Sequence, residues 1–121
     1  MSAWAWIGVA VLGGVGANAR FVIDSRISER LHGDFPFGTL AVNLSGALLL
    51  GLLTGLALSG DALVLAGTAT LGSYTTLSTW MLETQRLVEG GAVRTGAVNV
   101  LLSVVVGVAA AALGRTIGAH L

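Results

Sequence analysis

The sequence predicts an all-α membrane protein of four transmembrane helices, the third broken in mid-membrane. Three observations carry this. Of 121 residues, 55% are hydrophobic and only 10% charged, against roughly 25% charged in an ordinary soluble domain. The charges leave four empty windows, 1–19, 35–60, 62–82 and 95–114, each near the ~20 residues that cross a bilayer as a helix. The third window holds "LGSYTTLSTW" at 71–80, a run of hydroxyls behind a glycine. The whole of 1–121 reads as one transmembrane domain in the inner or plasma membrane, with lipid as its surroundings.

Helix one is expected over about 3–21 and is expected to be retained, because 1–6 has no Lys or Arg of the kind that opens a secretory signal. Its "GGVGANAR" places Gly13, Gly14, Gly16 and Ala17 where another backbone can approach closely. Helix two is expected over about 36–58, with Pro36 suited to a first turn because its missing N–H would be unpaired there anyway. Helix three is expected over about 62–86 and helix four over about 93–115. Residues 22–34 form the longest expected polar connection, and no extramembrane domain follows from the sequence. A bundle of four such helices fills its own centre with side chains, so a dimer or larger assembly is expected, and the 18 glycines suit close packing between subunits.

Composition excludes several function classes. With no Cys, and His32 and His120 near window ends without a metal-ligand spacing, thiolate and zinc chemistry have no residues to use; the chain reads as no enzyme. Six Arg, no Lys and six acidic residues give zero net charge and no basic patch for nucleic acid.

The polar residues at membrane depth carry the functional reading. Irregular backbone survives in a bilayer only where protein or water surrounds it. "GSYTT" reads as such a break: Gly72 relaxes the chain, and Ser73, Thr75 and Thr76 are poor helix formers whose hydroxyls can serve freed carbonyls. Unwound carbonyls would face something positive; the plainer alternative is that the hydroxyls bond one turn back. Asn43 shares a stripe with Ala47, Gly51 and Thr54, and Asn99 one with Ser103, Gly107 and Ala111. These stripes read either as walls of a narrow neutral path facing the hydroxyl run or as interhelical glue. No Asp or Glu lies in helices one, two or four, and Glu83 comes near the end of helix three. Arg20, expected at the close of helix one, is either a snorkelling anchor or a charge drawing anions to a vestibule.

"GGVGANAR", "FPFGTLAVNLSG" and "GSYTTLSTWMLET", in this order along nearly the whole chain, resemble the CrcB/Fluc fluoride channel family. The resemblance implies an antiparallel dual-topology dimer with two fluoride pathways and a structural sodium ion held by backbone carbonyls of Gly72 and Thr75. It places Asn43, Thr79 and Ser103 at polar pathway positions, Glu83 at the acidic position after the motif, and Leu77 and Trp80 where the family has two phenyl rings in Gly-Gly-x-Thr-Thr-Phe-Ser-Thr-Phe. Leu77 offers no ring edge and Trp80 is larger. Arg20, Arg26, Arg30, Arg86 and Arg94 fall on one side against Arg115 on the other, which favours one orientation with both termini outside. The implied partner is then either a second copy or a paralogous subunit.

The expectation is passive export of cytoplasmic fluoride, driven by the membrane potential. Two alternatives stand beside it. One is a small proton-coupled multidrug antiporter, against which the missing carboxylate in helix one argues. The other is a non-conducting subunit that completes its partner, for which Leu77 is the best support.

Overall fold

A computed structural model describes residues 1–121 and is helical from end to end. Helix α1 spans Ala3–Arg30, α2 Phe37–Gly55, and α6 Val93–Ala119; all three are long and apolar enough to cross a membrane. Between α2 and α6 lies the third span, built of short pieces: α3 (Gly60–Leu63), a π-helical segment (Val64–Leu71), α4 (Gly72–Tyr74) and α5 (Ser78–Glu89). The four expected spans are present, and the third is the discontinuous one.

Helix α1 runs past the expected end near 21 and takes in most of the segment 22–34. A charge ends a hydrophobic window but not a helix. Nothing between Val22 and Arg30 breaks α1, and the Ser28 hydroxyl bonds Asp24 one turn back at 3.3 Å. The chain turns only at Gly33, whose φ is +128°, ahead of Pro36. Arg20 is therefore mid-helix rather than at its close. At the other end Ser2 caps α1, accepting from the Ala5 N–H at 3.1 Å. Pro36 sits just outside α2 as its cap residue, one position earlier than expected. α2 ends at Gly55 rather than near 58, and α6 continues to Ala119 rather than 115.

Glycine sets how closely the spans approach. A Cβ on Gly51 or Gly55 of α2 would strike the carbonyls of Ala111 and Arg115 on α6, and one on Gly114 or Gly118 would strike those of Leu48 and Leu52 on α2. The α2–α6 contact is thus backbone against backbone, the arrangement that small residues permit in membranes. Across α1 and the third span, Gly16 meets Thr70 and Ser73. Gly13 only approaches Ala69, and Gly14 and Gly107 meet nothing, so the expected glycine surfaces narrow to specific positions. Few side chains are buried, with Val42, Leu71 and Tyr74 forming the core cluster, and the apolar remainder, including Trp4, Trp6, Leu101, Val105 and Val108, faces outward. In water such a surface would be untenable; on a multi-pass membrane protein an apolar outer surface is the expected one.

Candidate functional site

The third span breaks at Thr75, where the backbone leaves helical geometry (φ −79°, ψ 160°), three residues after Gly72, which stays helical (φ −63°, ψ −36°). Helical structure resumes at Ser78. Asn43 of α2 reaches into the gap with both ends of its amide: its Nδ2 donates to Thr76 O at 2.9 Å and its Oδ1 accepts the Thr76 N–H at 2.8 Å. An Asn amide offers an acceptor oxygen and two N–H donors, and here the oxygen and one N–H are spent on one residue's backbone.

That clamp redirects hydrogen bonds. In a continuous helix Thr76 N would donate to Gly72 O and Thr79 N to Thr75 O. Instead Thr76 N goes to Asn43, and Thr79 N goes to Thr76 Oγ1 at 3.2 Å, an N-cap-like contact that starts α5. The carbonyls of Gly72 and Thr75 thereby lose the donors a helix would supply, and no other backbone N–H replaces the one Thr75 O lacks. The hydroxyls do not serve these carbonyls: Ser73 donates to Ala69 O at 2.7 Å and Thr75 to Leu71 O at 3.0 Å. For those two side chains the plainer expectation, bonding one turn back, is the observed one.

A groove of about 560 Å³ opens over the break, and Asn43, Gly72, Thr75, Leu77, Trp80 and Ser103 are among its lining residues. It brings the two expected carbonyl donors and four of the expected pathway residues to one surface. Ala47 lines it too, whereas lower on the same stripe Gly51 packs against the Ala111 carbonyl and closes it. Leu77, 69% exposed, stands at its open side. Trp80 turns its indole N–H to Ser103 Oγ at 3.1 Å and, more distantly, to Asn99 O at 3.5 Å.

Three expected residues lie elsewhere. Thr79 is half-buried but does not line the groove. Glu83, one turn on, accepts a hydrogen bond from Thr39 Oγ1 of α2. Arg20 lies on α1, its Nε buried with no partner. Asn99, read from the sequence as either a path wall or interhelical glue, takes the second role: it is fully buried, with its Nδ2 donating to Thr84 Oγ1 of α5 at 2.9 Å.

The sequence reading passed over Thr39, Thr76 and Thr84 as individual sites. Thr76 is both the clamp's target and, through its hydroxyl, the acceptor for the Thr79 N–H in the first turn of α5. Thr39 is 1% exposed and holds Glu83 from 44 residues away, a pairing that no local pattern could reveal; its one sequence signal is its place in "FGTLAVN", two turns of the same motif that supplies Asn43.

A family model described as "CrcB-like protein, Camphor Resistance (CrcB)" matches residues 7–115. Among curated proteins, the chain is 58% identical over 110 residues to "Fluoride-specific ion channel FluC 2" of Mycolicibacterium paratuberculosis, covering 91% of this chain and 90% of the relative. It is 54% identical over 112 residues to the protein of the same name in Mycobacterium tuberculosis, covering 93% and 89%. To "Fluoride-specific ion channel FluC 1" of Symbiobacterium thermophilum it is 42% identical over 119 residues, covering 93% and 96%.

Proposed function

From the premise that this chain belongs to the CrcB family, we propose that it is a subunit of a fluoride-specific channel that lets cytoplasmic fluoride leave passively through the cell membrane. The observation that carries this is the groove over the broken third span, where an amide, hydroxyls and an indole N–H line one surface without a fixed positive charge. Fluoride is small and strongly hydrated, so a narrow path must replace its water with several donors. Neutral donors do so without the full charge that would trap the ion. Fluoride enters cells as neutral HF and dissociates inside, so the membrane potential alone drives the anion out. The antiporter alternative has no comparable support: α1 carries Asp24 and Glu29 only in its last two turns, the third span's carboxylates are Asp61 at its start and Glu83 and Glu89 toward its end, none of these lines the groove, and Glu83 is engaged by Thr39.

The groove is open along one side in a single chain, and we read the missing wall as a second subunit inserted in the opposite direction. Gly72 and Leu77 are exposed on that side. The carbonyls of Gly72 and Thr75, deprived of helical donors, suit a small hard cation that takes oxygen ligands, and sodium is the ion we assign to them as a structural element of the dimer. The numbered names of the relatives, FluC 1 and FluC 2, together with Leu77 in place of a ring and the one-sided arginines, favour a paralogous partner over a second copy. Thr79, Glu83 and Arg20 then belong to the vestibules at the ends of the path rather than to the groove.

Fluoride efflux from liposomes, measured with a fluoride electrode, tests the reading. Efflux with this chain alone supports a homodimer, and efflux only on adding the paralog supports the mixed pair. No efflux under either condition would sink the channel function.

A further inference from the structure

Trp80 stands where the resemblance puts a phenyl ring, and it brings a donor that phenylalanine lacks. Its indole N–H lies 3.1 Å from Ser103 Oγ and 3.5 Å from Asn99 O. A serine in a helix ordinarily donates its own proton to the carbonyl one turn back, which for Ser103 is Asn99 O. That bond is not made here, and the indole N–H instead approaches both oxygens, Ser103 Oγ more closely. Ser103 appears in the hydrogen-bond network only as an acceptor, and both residues line the groove over the broken span. With its oxygen accepting from Trp80 and no protein group accepting its own proton, the Ser103 hydroxyl is left free to donate into the groove it lines.

We propose that Trp80 is a positioning residue that holds the Ser103 hydroxyl as an outward-facing donor for an anion in the groove. This rests on the channel reading above and deepens it. The indole does two jobs that a phenyl ring cannot: it fixes the serine rotor and denies it the backbone carbonyl. Trp80 is itself anchored, since its carbonyl accepts from Thr84 Oγ1 at 2.9 Å and Thr84 in turn accepts from the buried Asn99 amide at 2.9 Å. The Trp80–Thr84–Asn99 chain ties α5 to α6, so the indole and its target move as one unit. A donor so held is ready before the ion arrives, which is what replacing a tight hydration shell requires.

The test is a double-variant cycle in liposomes holding the full chain, with the paralog added if wild type requires it. Trp80→Phe keeps an aromatic ring but frees Ser103 to bond Asn99 O; fluoride efflux is expected to fall about tenfold, the scale of one well-placed hydrogen bond. Ser103→Ala should fall by a similar factor, and the double variant no further than either single. Efflux undiminished in Trp80→Phe, or losses that multiply in the double variant, overturns the inference while leaving the channel reading intact. Absence of efflux from wild type overturns both. A second readout does not depend on Trp80→Phe folding: with Trp4→Phe and Trp6→Phe, Trp80 is the only tryptophan, and added fluoride should shift its emission when Ser103 is present and not in Ser103→Ala. An emission unmoved by fluoride, or moved equally without Ser103, also overturns it.

Discussion

Asn43 holds Thr76 by both faces of one backbone residue, accepting from its N–H at 2.8 Å and donating to its carbonyl at 2.9 Å. This pairing imitates the exchange between adjacent strands and does in one side chain what a helix would otherwise do with two peptide groups. It is therefore the lock that keeps the third span open. An amide so engaged has its Oδ1 committed and one Nδ2 hydrogen left for the groove.

Removing the lock should let the span close. In Asn43→Ala, Thr76 N is free to donate to Gly72 O and restore helix, at the expense of the groove. Two buried backbone groups lose their partners in the open form, costing about 1–3 kcal/mol, so the unfolding temperature in detergent falls. Efflux drops by about tenfold or more, the factor that ~1.4 kcal/mol represents. Asn43→Asp keeps the acceptor for Thr76 N but faces Thr76 O with a lone pair and should fare little better. An Asn43→Ala variant with wild-type melting and efflux would show that the break holds itself.

How far the sequence made this visible follows from where each partner lies. The four spans were legible because windows without charge are a property of contiguous residues. The hydroxyl run likewise marked the third span as discontinuous. The break falls within the 72–76 stretch that the sequence marked, but its exact residue was not legible, because Gly72 remains helical and the geometry yields at Thr75, where a side chain 33 residues upstream competes for the Thr76 N–H. For the same reason α1 outran its window: Arg20 ends an uncharged stretch, yet a single arginine does not stop a helix. The spacing of Asn99 with Ser103 left open whether its amide walls a path or ties helices together; Thr84 on the neighbouring helix captures it, and spacing within one helix says nothing of the next.

The α2–α6 contact predicts opposite outcomes for two glycines that composition treats alike. Gly51→Ala gains up to about 1 kcal/mol of helix propensity but drives a Cβ into the Ala111 carbonyl, where neither backbone can move without parting the helices. Overpacking of this kind costs about 1–3 kcal/mol, so net destabilisation is expected. Gly107→Ala, on α6, meets no atom within 4 Å and should melt at or slightly above wild type. Circular dichroism on heating, in detergent, separates the two; equal melting would mean that the helices are not in backbone contact.

The cation proposal predicts a sodium requirement that follows the break. Replacing Na⁺ with a large organic cation on both sides of the liposome should abolish efflux, and restoring Na⁺ should recover it along a saturable curve. Thr76→Ala removes the hydroxyl that captures Thr79 N, allowing that N–H to return to Thr75 O and compete with the ion. The Na⁺ concentration for half-recovery should then rise about tenfold, one hydrogen bond's worth of competition. A half-point unchanged in Thr76→Ala would remove Thr75 from the cradle, and efflux indifferent to Na⁺ would remove the cradle itself.

Orientation gives the last prediction. Because α1 continues to Arg30, Arg20 lies about 15 Å inside that helix end and is discounted as a flanking charge. Arg26, Arg30, Arg86 and Arg94 remain at the end where α1 and α5 finish and α2 and α6 begin, facing Arg115 alone. The acidic residues beside them weigh little, since orientation follows the basic count. This chain should therefore insert one way, with that end in the cytoplasm and both termini outside. The chain has no cysteine, so single replacements report cleanly. His120→Cys should react with an impermeant thiol reagent in intact cells, and Leu31→Cys, in the α1–α2 turn, only after permeabilisation. Partial labelling of both in intact cells would mean insertion in both directions, and the need for a differently oriented paralog would disappear with it.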